Sequence, residues 1–520
     1  MCPVLHALVS GNMLTSLLPL LLSQLVAADA VVVPSTSNIS PIGLAAYVSL
    51  SIESVGFPLF AGTTASPNVF SVNLLKNLGG LQDGDMPVVR VGGNSGDRAI
   101  YDPDLETATA TSCKADPKAI VCIGKSYFDS YRTFPDTYYS HQFNLAANNA
   151  SGYATLAQTA PLACKAIGSQ LSMWEYGNEA DLYLGKWRPS NWNVSAYVTE
   201  WLNGTAHLRE YVQAACPELG TPKFMAPSFS SPGSAYNHVT AFQDGLDSED
   251  AVKQKSLHNY ITGATSPGVT LQGTLMNHQV TVNSLKSHVR AANALAAIDD
   301  KPYVVGECNS LYGGGAAGLS DTFGAALWVM DFTLFAASTG VIKRLHYHQS
   351  NGAPYSAWAP VTSGASPPRT LPPYYGKLAA ARFLRGTDKT AVHEISISSS
   401  PFESAYGAYE GGRLARIAVL NMNAFNSTET VSRPSKTYSL DLGTDLAGST
   451  WLVERLAAPG SDVKTGVTFA GMSYEYSTLG QGVKIPSGCR EGEENIKAAA
   501  EGVLSVRVRN SQAVVLTLLK

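Results

Sequence analysis

Two glutamates in this chain each end an apolar run. Glu179 closes Met173-Trp174-Glu175-Tyr176-Gly177-Asn178-Glu179, and Glu307 closes Pro302-Tyr303-Val304-Val305-Gly306-Glu307. Two carboxyl groups on rigid supports are what the splitting of a glycosidic bond requires. One protonates the leaving oxygen and the other attacks the anomeric carbon. The neighbours separate the roles. Asn178 offers an amide that can hold a sugar 2-hydroxyl, a contact that strengthens in the transition state. Gly177 lets the strand turn so that Asn178 and Glu179 both reach one cleft. Glu179 is therefore expected to be the acid/base, protonated at the start of the cycle, and Glu307 the ionised nucleophile. Glu175 competes for the acid role, but it lies deeper in the strand and reads as a buried, hydrogen-bonded scaffold residue. His346 and His348 share a strand face without a third ligand, so they read as hydrogen-bonded histidines and not as a metal site. No cofactor is expected.

These residues need a frame. Apolar strand segments recur at 46–53, 88–92, 141–145, 171–176, 223–227, 255–258, 303–306 and 341–346. Helical runs lie between them, among them 152–166, 196–215, 280–297 and 321–337. Eight strand–helix units predict an α/β fold, a (β/α)8 TIM barrel over residues 45–384. An open doubly wound sheet is the alternative, but no glycine-rich phosphate loop follows the first strand. In a TIM barrel the active site lies at the C-terminal strand ends, where Glu179 and Glu307 fall. From 385 to 520 the texture changes to short strands at 417–421, 437–442, 451–455, 473–477, 504–508 and 513–518, separated by Gly, Asn, Ser and Pro. That pattern predicts a C-terminal antiparallel β-sandwich domain, to which residues 31–44 can add a strand.

Bulk properties exclude some functions. The 520 residues carry a net charge of -4, and only 15% are charged against roughly 25% in ordinary globular proteins. No basic run suggests nucleic acid. Residues 1–30 read as a secretory signal peptide: the apolar stretch 17–26 is short for a membrane span, and Ala28-Asp29-Ala30 is a cleavage pattern. The mature chain would be secreted, extracellular and not bound to a membrane. Sequons at Asn38, Asn149, Asn193, Asn203 and Asn426 imply N-linked glycans. Beyond the signal, six cysteines remain. Cys113 and Cys122 are the expected disulfide, and the other four (Cys164, Cys216, Cys308, Cys489) allow three pairings.

The fuller strings sharpen the reading. Ser51-Ile52-Glu53, Arg90-Val91-Gly92-Gly93-Asn94, Trp174-Glu175-Tyr176-Gly177-Asn178-Glu179-Ala180-Asp181 and Gly306-Glu307-Cys308-Asn309-Ser310-Leu311-Tyr312-Gly313-Gly314 resemble glycoside hydrolase family 79, which holds microbial and fungal β-glucuronidases and the heparanases. The resemblance implies a retaining β-glucuronidase acting on terminal glucuronic or 4-O-methylglucuronic acid of a glycan. It also implies further substrate-binding residues: Glu53 and Asn94 at the ends of strands one and two, Tyr260 on the nucleophile, and Tyr347 in the sugar subsite. A uronate needs donors to its carboxylate. Tyr312 with the backbone of Gly313 and Gly314 can form an anion-binding nest, the use that the resemblance also implies. Two alternatives stay open: an endo-β-glucuronidase of heparanase type and a catalytically silent carbohydrate-binding relative. The two glutamates argue against the second, and the low basic content against the first.

Overall fold

The computed structural model describes residues 30–519, apart from 115, 117, 118, 120 and 487–493. The expected signal peptide, up to residue 29, and Cys489 lie outside the described residues.

Eight parallel strands close into a barrel: β1 Val48–Glu53, β2 Val89–Gly92, β3 Tyr139–Phe143, β4 Leu171–Tyr176, β5 Phe224–Phe229, β6 Val252–Gly263, β7 Tyr303–Tyr312 and β8 Ile342–Gln349. They pair in chain order, and β8 closes the ring on β1 with Leu345 opposite Val48. Strand alternation decides what faces where. In β1, Val48, Leu50 and Ile52 turn outward into the apolar core beneath the helices. Ser51 of the same strand faces the barrel interior and hydrogen-bonds Arg90 and His348. The interior is therefore polar near its C-terminal end, while Met173, Met225 and Val304 form a separate small apolar cluster.

Helices α1 Val69–Leu81, α2 Ala150–Ile167, α3 Val194–Ala215, α4 His238–Gln243, α5 His278–Ala296, α6 Phe323–Ser338 and α7 Pro372–Leu384 surround the barrel. Between β2 and β3 the expected helix is replaced by a small three-stranded sheet and the 3-10 turns of Lys125–Arg132. That excursion carries the Cys113–Cys122 disulfide, and a second disulfide, Cys164–Cys216, ties α2 to the end of α3. Cys308 is free and buried.

The C-terminal part is antiparallel. Strands β9 Thr390–Ile395, β10 Glu403–Glu410, β11 Arg413–Asn421, β13 Thr450–Ala457 and β15 Gln512–Leu519 belong to one large sheet, in the order β9-β10-β11-β15-β13. Strands β12 Ser435–Asp441 and β14 Val503–Arg509 form a smaller one, with Val31–Val32 on its edge. Ile417, Val419, Trp451, Val453, Leu504 and Val506 share the core between the sheets. The alternate residues Ala418, Leu420, Ala513 and Val515 join the barrel core instead. The large sheet thus has two apolar faces, and α6, wedged behind it, is buried almost all round. The segment 473–477, expected as a strand, holds only the end of the pair Met472–Ser473 before a 3-10 turn at Tyr476–Thr478.

Candidate active site

Two backbone devices aim the glutamates. At the end of β4 the chain passes through left-handed conformations at Gly177 (φ +85°) and at Glu179 itself (φ +49°). A non-glycine residue there costs about 1 kcal/mol, a strain typical of functional positions. The N–H of Glu179 is nevertheless satisfied by the carbonyl of Ser228 at 2.9 Å. On β7 the device is a bulge. Val305 pairs with Leu257, but Glu307 pairs with His258, so Gly306 is the extra residue. A Cβ at Gly306 would come within 2.2 Å of Ser256 Oγ, so glycine is required for the two strands to meet.

The glutamates converge on one cavity of about 930 Å³ at the C-terminal end of the barrel. One oxygen of each, together with a ring nitrogen of His258, lie within 4.8 Å of one another. Glu307 is held from several sides. Arg90 Nη1 lies 2.7 Å from Oε2, the Tyr260 hydroxyl donates to Oε1 at 2.6 Å, and His348 Nδ1 is 3.5 Å from Oε2. Burial alone would favour its neutral form. His348, His258, Arg90 and the Tyr260 hydroxyl outweigh it and hold the carboxyl well below the usual range. Glu307 is thus kept ionised. Burial likewise opposes a charged His348, but Glu307 and Glu53 raise its pKa above the ordinary imidazole value.

Glu179 has a different setting. Its Oε1 is 2.9 Å from His258 Nδ1, and it has no arginine or lysine partner among the described residues. His258 therefore lies between the two carboxylates. The trio Glu179, His258 and Glu307 is also the group whose atoms are spaced to hold a metal ion. Its members come from β6, β7 and the turn after β4, which is why no linear motif announces it. Arg90 already supplies positive charge to Glu307, and His258 Nδ1 already bonds Glu179.

Arg90 is the residue that motif reading underrated. Fully buried, it sends Nε and Nη2 to Glu175 at 2.7 and 3.1 Å, Nη1 to Glu307 and Ser51, and Nη2 to Asn178 Oδ1 at 2.7 Å. One planar guanidinium orients Glu175, Glu307 and Asn178 together. The available signal was a lone arginine inside an apolar strand, where charge is tolerated only if paired. Glu175 is buried and bidentate on Arg90, a scaffold residue as expected.

Of the other expected residues, Glu53, Asn94, Tyr260, Tyr312, Gly313 and Gly314 all line the cavity. Glu53 accepts the N–H and hydroxyl of Ser95 and faces His348 Nε2 at 3.3 Å. Asn178 lies just beneath the wall. Its Oδ1 is taken by Arg90, and its Nδ2 reaches Asn94 at 3.3 Å, leaving one amide proton for a sugar hydroxyl. Its backbone N–H is anchored on buried Asp97, whose pKa burial pushes up to about 7. Tyr312, 57% exposed, stands at the rim, followed by three consecutive glycines at positive φ. The N–H groups of Gly313 and Gly314 make no hydrogen bond among the described residues.

Tyr347 is the correction. It lies outside the cavity, wholly buried, with its hydroxyl 2.7 Å from Thr333 Oγ1 on α6 and Lys377 Nζ over its ring. Alternation along β8 sends His346 and His348 inward and Tyr347 outward. His348 occupies the place expected of Tyr347, and Tyr355, in the loop that follows, is the aromatic that lines the cavity there.

Comparison with known proteins agrees with this architecture. A model of the glycosyl hydrolase family 79 C-terminal beta domain matches residues 405–515. A β-glucuronidase of Aspergillus niger is 42% identical over 494 residues, covering 91% of this chain and 90% of its own. A β-glucuronidase of Neurospora crassa is 41% identical over 504 residues, covering 88% and 89%. Among solved structures, a 4-O-α-L-rhamnosyl-β-D-glucuronidase from Fusarium oxysporum superposes with a TM-score of 0.76 at 26% identity, covering 94% of this chain and all of that one. An arabinofuranosidase, at 13% identity and a TM-score of 0.62, shares the fold. With more than two fifths of the residues identical along nearly the whole length of a curated relative, this chain belongs to glycoside hydrolase family 79.

Proposed function

We propose that this glycoside hydrolase is a retaining β-glucuronidase that removes terminal β-linked glucuronic acid, or its 4-O-methyl ether, from a glycan. The mechanism rests on one observation: an oxygen of Glu179 and one of Glu307 lie within 4.8 Å. Retaining enzymes hold their carboxyl groups about 5–5.5 Å apart for direct attack, whereas inverting ones leave about 6.5–9.5 Å for a water. Glu307, ionised and backed by Arg90 and Tyr260, attacks the anomeric carbon. Glu179 gives its proton to the leaving oxygen, then takes one from the water that releases the sugar.

The uronate preference is supported by the activity of the relatives and by the rim of the cavity. The free N–H groups of Gly313 and Gly314, with the Tyr312 hydroxyl, offer donors to a carboxylate. No lysine or arginine lines the catalytic cavity among the described residues, which disfavours an endo-acting enzyme for sulfated polymers. We further propose that residues 1–30 direct export and that the mature chain begins at Val31. N-terminal sequencing of protein recovered outside the cell checks this.

The decisive experiment follows the first-formed sugar by NMR during cleavage of a nitrophenyl β-glucuronide. The β-anomer is expected first; the α-anomer would overturn the mechanism. A panel of glucoside, galactoside and xyloside tests the substrate. Tyr312→Phe should lower kcat/KM for the glucuronide more than for the glucoside, and equal losses would remove the loop from uronate recognition.

A further inference from the structure

The turn that carries Glu179 is left-handed at two of its three residues. Gly177 sits at φ +85° and Glu179 at φ +49°, on either side of Asn178. A non-glycine residue keeps such a conformation only where its surroundings fix it. Here each of the three backbone N–H groups is anchored on a different neighbour. Gly177 donates to the carbonyl of Phe143 at 2.9 Å, and Glu179 to that of Ser228 at 2.9 Å. Asn178, between them, donates to the Asp97 carboxylate at 2.8 Å. Two of the anchors are backbone carbonyls. The middle one is a side chain, which a single substitution removes.

Asp97 stands in the 3-10 turn Gly96–Arg98 after β2 and is 3% exposed. The carboxylate oxygen that takes the Asn178 N–H also takes the Tyr183 hydroxyl, and the other oxygen takes the N–H of Leu145 at 3.2 Å. Leu145 follows β3, and Tyr183 ends the 3-10 turn Ala180–Leu182 that follows Glu179. One carboxylate therefore ties together the chain segments after β2, β3 and β4. Asn178 and Tyr183 lie on either side of Glu179 in sequence, so Asp97 grips the chain before and after it. The packing leaves no slack there: a Cβ on Gly177 would lie 2.8 Å from the Leu145 side chain and 3.2 Å from the Tyr183 hydroxyl.

The two cavity-facing side chains of this turn depend on the grip unequally. The Asn178 amide is held on its own account, by Arg90 at Oδ1 and by Asn94 at Nδ2. The Glu179 carboxylate has one hydrogen bond among the described residues, to His258. Its place is set mainly by the backbone beneath it. Glu307, in contrast, is held by Arg90 and Tyr260, and neither of them touches Asp97.

We propose that Asp97 is a positioning residue for Glu179, and that it serves proton transfer to the leaving group and not the attack by Glu307. This rests on the reading of Glu179 as the acid. The test compares kcat/KM for dinitrophenyl β-glucuronide, whose leaving group departs without a proton, with kcat/KM for phenyl β-glucuronide, whose leaving group needs one. In Asp97→Asn the amide keeps the shape of the carboxylate, but its NH2 must face the N–H of Leu145 or of Asn178, so an anchor is lost. The phenyl glycoside is expected to lose about tenfold or more relative to the dinitrophenyl one, because a displaced acid transfers its proton less well. Tyr183→Phe removes one donor to the same carboxylate and keeps the ring. It should shift the ratio in the same direction by less. Turnover of the dinitrophenyl glycoside at close to the normal rate would show that the fold and the Glu307 side of the site are intact. Equal losses on both substrates in both variants, or a ratio that neither variant moves, would overturn the proposal and leave Asp97 a support of the fold. Glu179→Ala, measured beside them, separates this proposal from the reading beneath it. It should depress the phenyl glycoside about a hundredfold or more relative to the dinitrophenyl one. Absence of that bias in Glu179→Ala would strike the assignment of the acid. Its presence there and absence from the Asp97 and Tyr183 variants would strike the role of Asp97 alone.

Discussion

At the scale of single residues, Glu307 is held by donors whose worth can be measured one at a time. Tyr260 donates a hydroxyl to Glu307 at 2.6 Å. A hydrogen bond to a charged group contributes about 1.5–3 kcal/mol, so Tyr260→Phe should lower kcat/KM about ten- to a hundredfold. His348 acts through charge. It is the first of the groups that pull the Glu307 carboxyl down against burial. With His348→Gln, burial gains ground and the Glu307 pKa must rise. The acid limb of the kcat/KM profile should move to higher pH, and an unmoved limb would show that His348 only fills space. Glu179 and Glu307 could be picked out in the sequence because each ends an apolar run, whereas Glu53 and Tyr260 are what the family resemblance implies. Arg90 and His258 were not singled out, because their meaning lies in what other strands bring to them. Tyr347 was misplaced because neighbouring residues of β8 differ only in which side of the sheet they face, and a shift of one residue exchanges the two sides.

At the scale of elements, all eight barrel strands were legible from short apolar runs, but the ends of β6 and β7 were not. Both continue well past the apolar run, to Gly263 and Tyr312, because they pair with each other above the barrel. Pairing of that kind leaves no apolar signature in either strand alone. Strands β9 and β10 were missed for a related reason. Glu394 in β9 and Ser404 and Tyr406 in β10 carry polar groups that bond across to α5 and α6 and interrupt the apolar pattern. The bulge at Gly306 is the element-scale feature that sets Glu307 at the cavity wall. Gly306→Ala places a methyl group within 2.2 Å of Ser256 Oγ and 3.3 Å of Met225 Sδ. Strand β7 must then shift, and activity should fall steeply while circular dichroism remains that of a folded barrel. Adding Ser256→Gly removes the nearest obstacle and should recover part of the rate. No recovery would mean that the bulge, and not the contact, requires glycine.

At the scale of the whole molecule, the barrel and the β-domain share one apolar core, and a polar network crosses their boundary. His278 opens α5, with Nδ1 3.0 Å from Asp331 of α6 and Nε2 2.9 Å from Glu394 of β9. Ser404 and Tyr406 of β10 also donate to Asp331, which is fully buried. Two domains could be read from the change in sequence texture near residue 385. Their union could not, because it depends on side chains 73 to 116 positions apart in the large sheet and the barrel helices. Burial opposes a proton on His278, but Asp331 and Glu394 raise its pKa to about 10. A raised folded-state value means that this stabilisation is complete below the ordinary imidazole value of about 6.5 and is lost as the pH climbs toward 10. His278→Gln should therefore lower Tm markedly at pH 6, by an amount corresponding to a few kcal/mol. The difference between the two proteins should shrink steadily as pH rises toward 10. Comparing the two at each pH cancels the titration of every other group they share. A Tm difference that stays constant from pH 6 to 10 would show that His278 contributes packing alone, and that the domains are joined by their apolar faces without help from this charge.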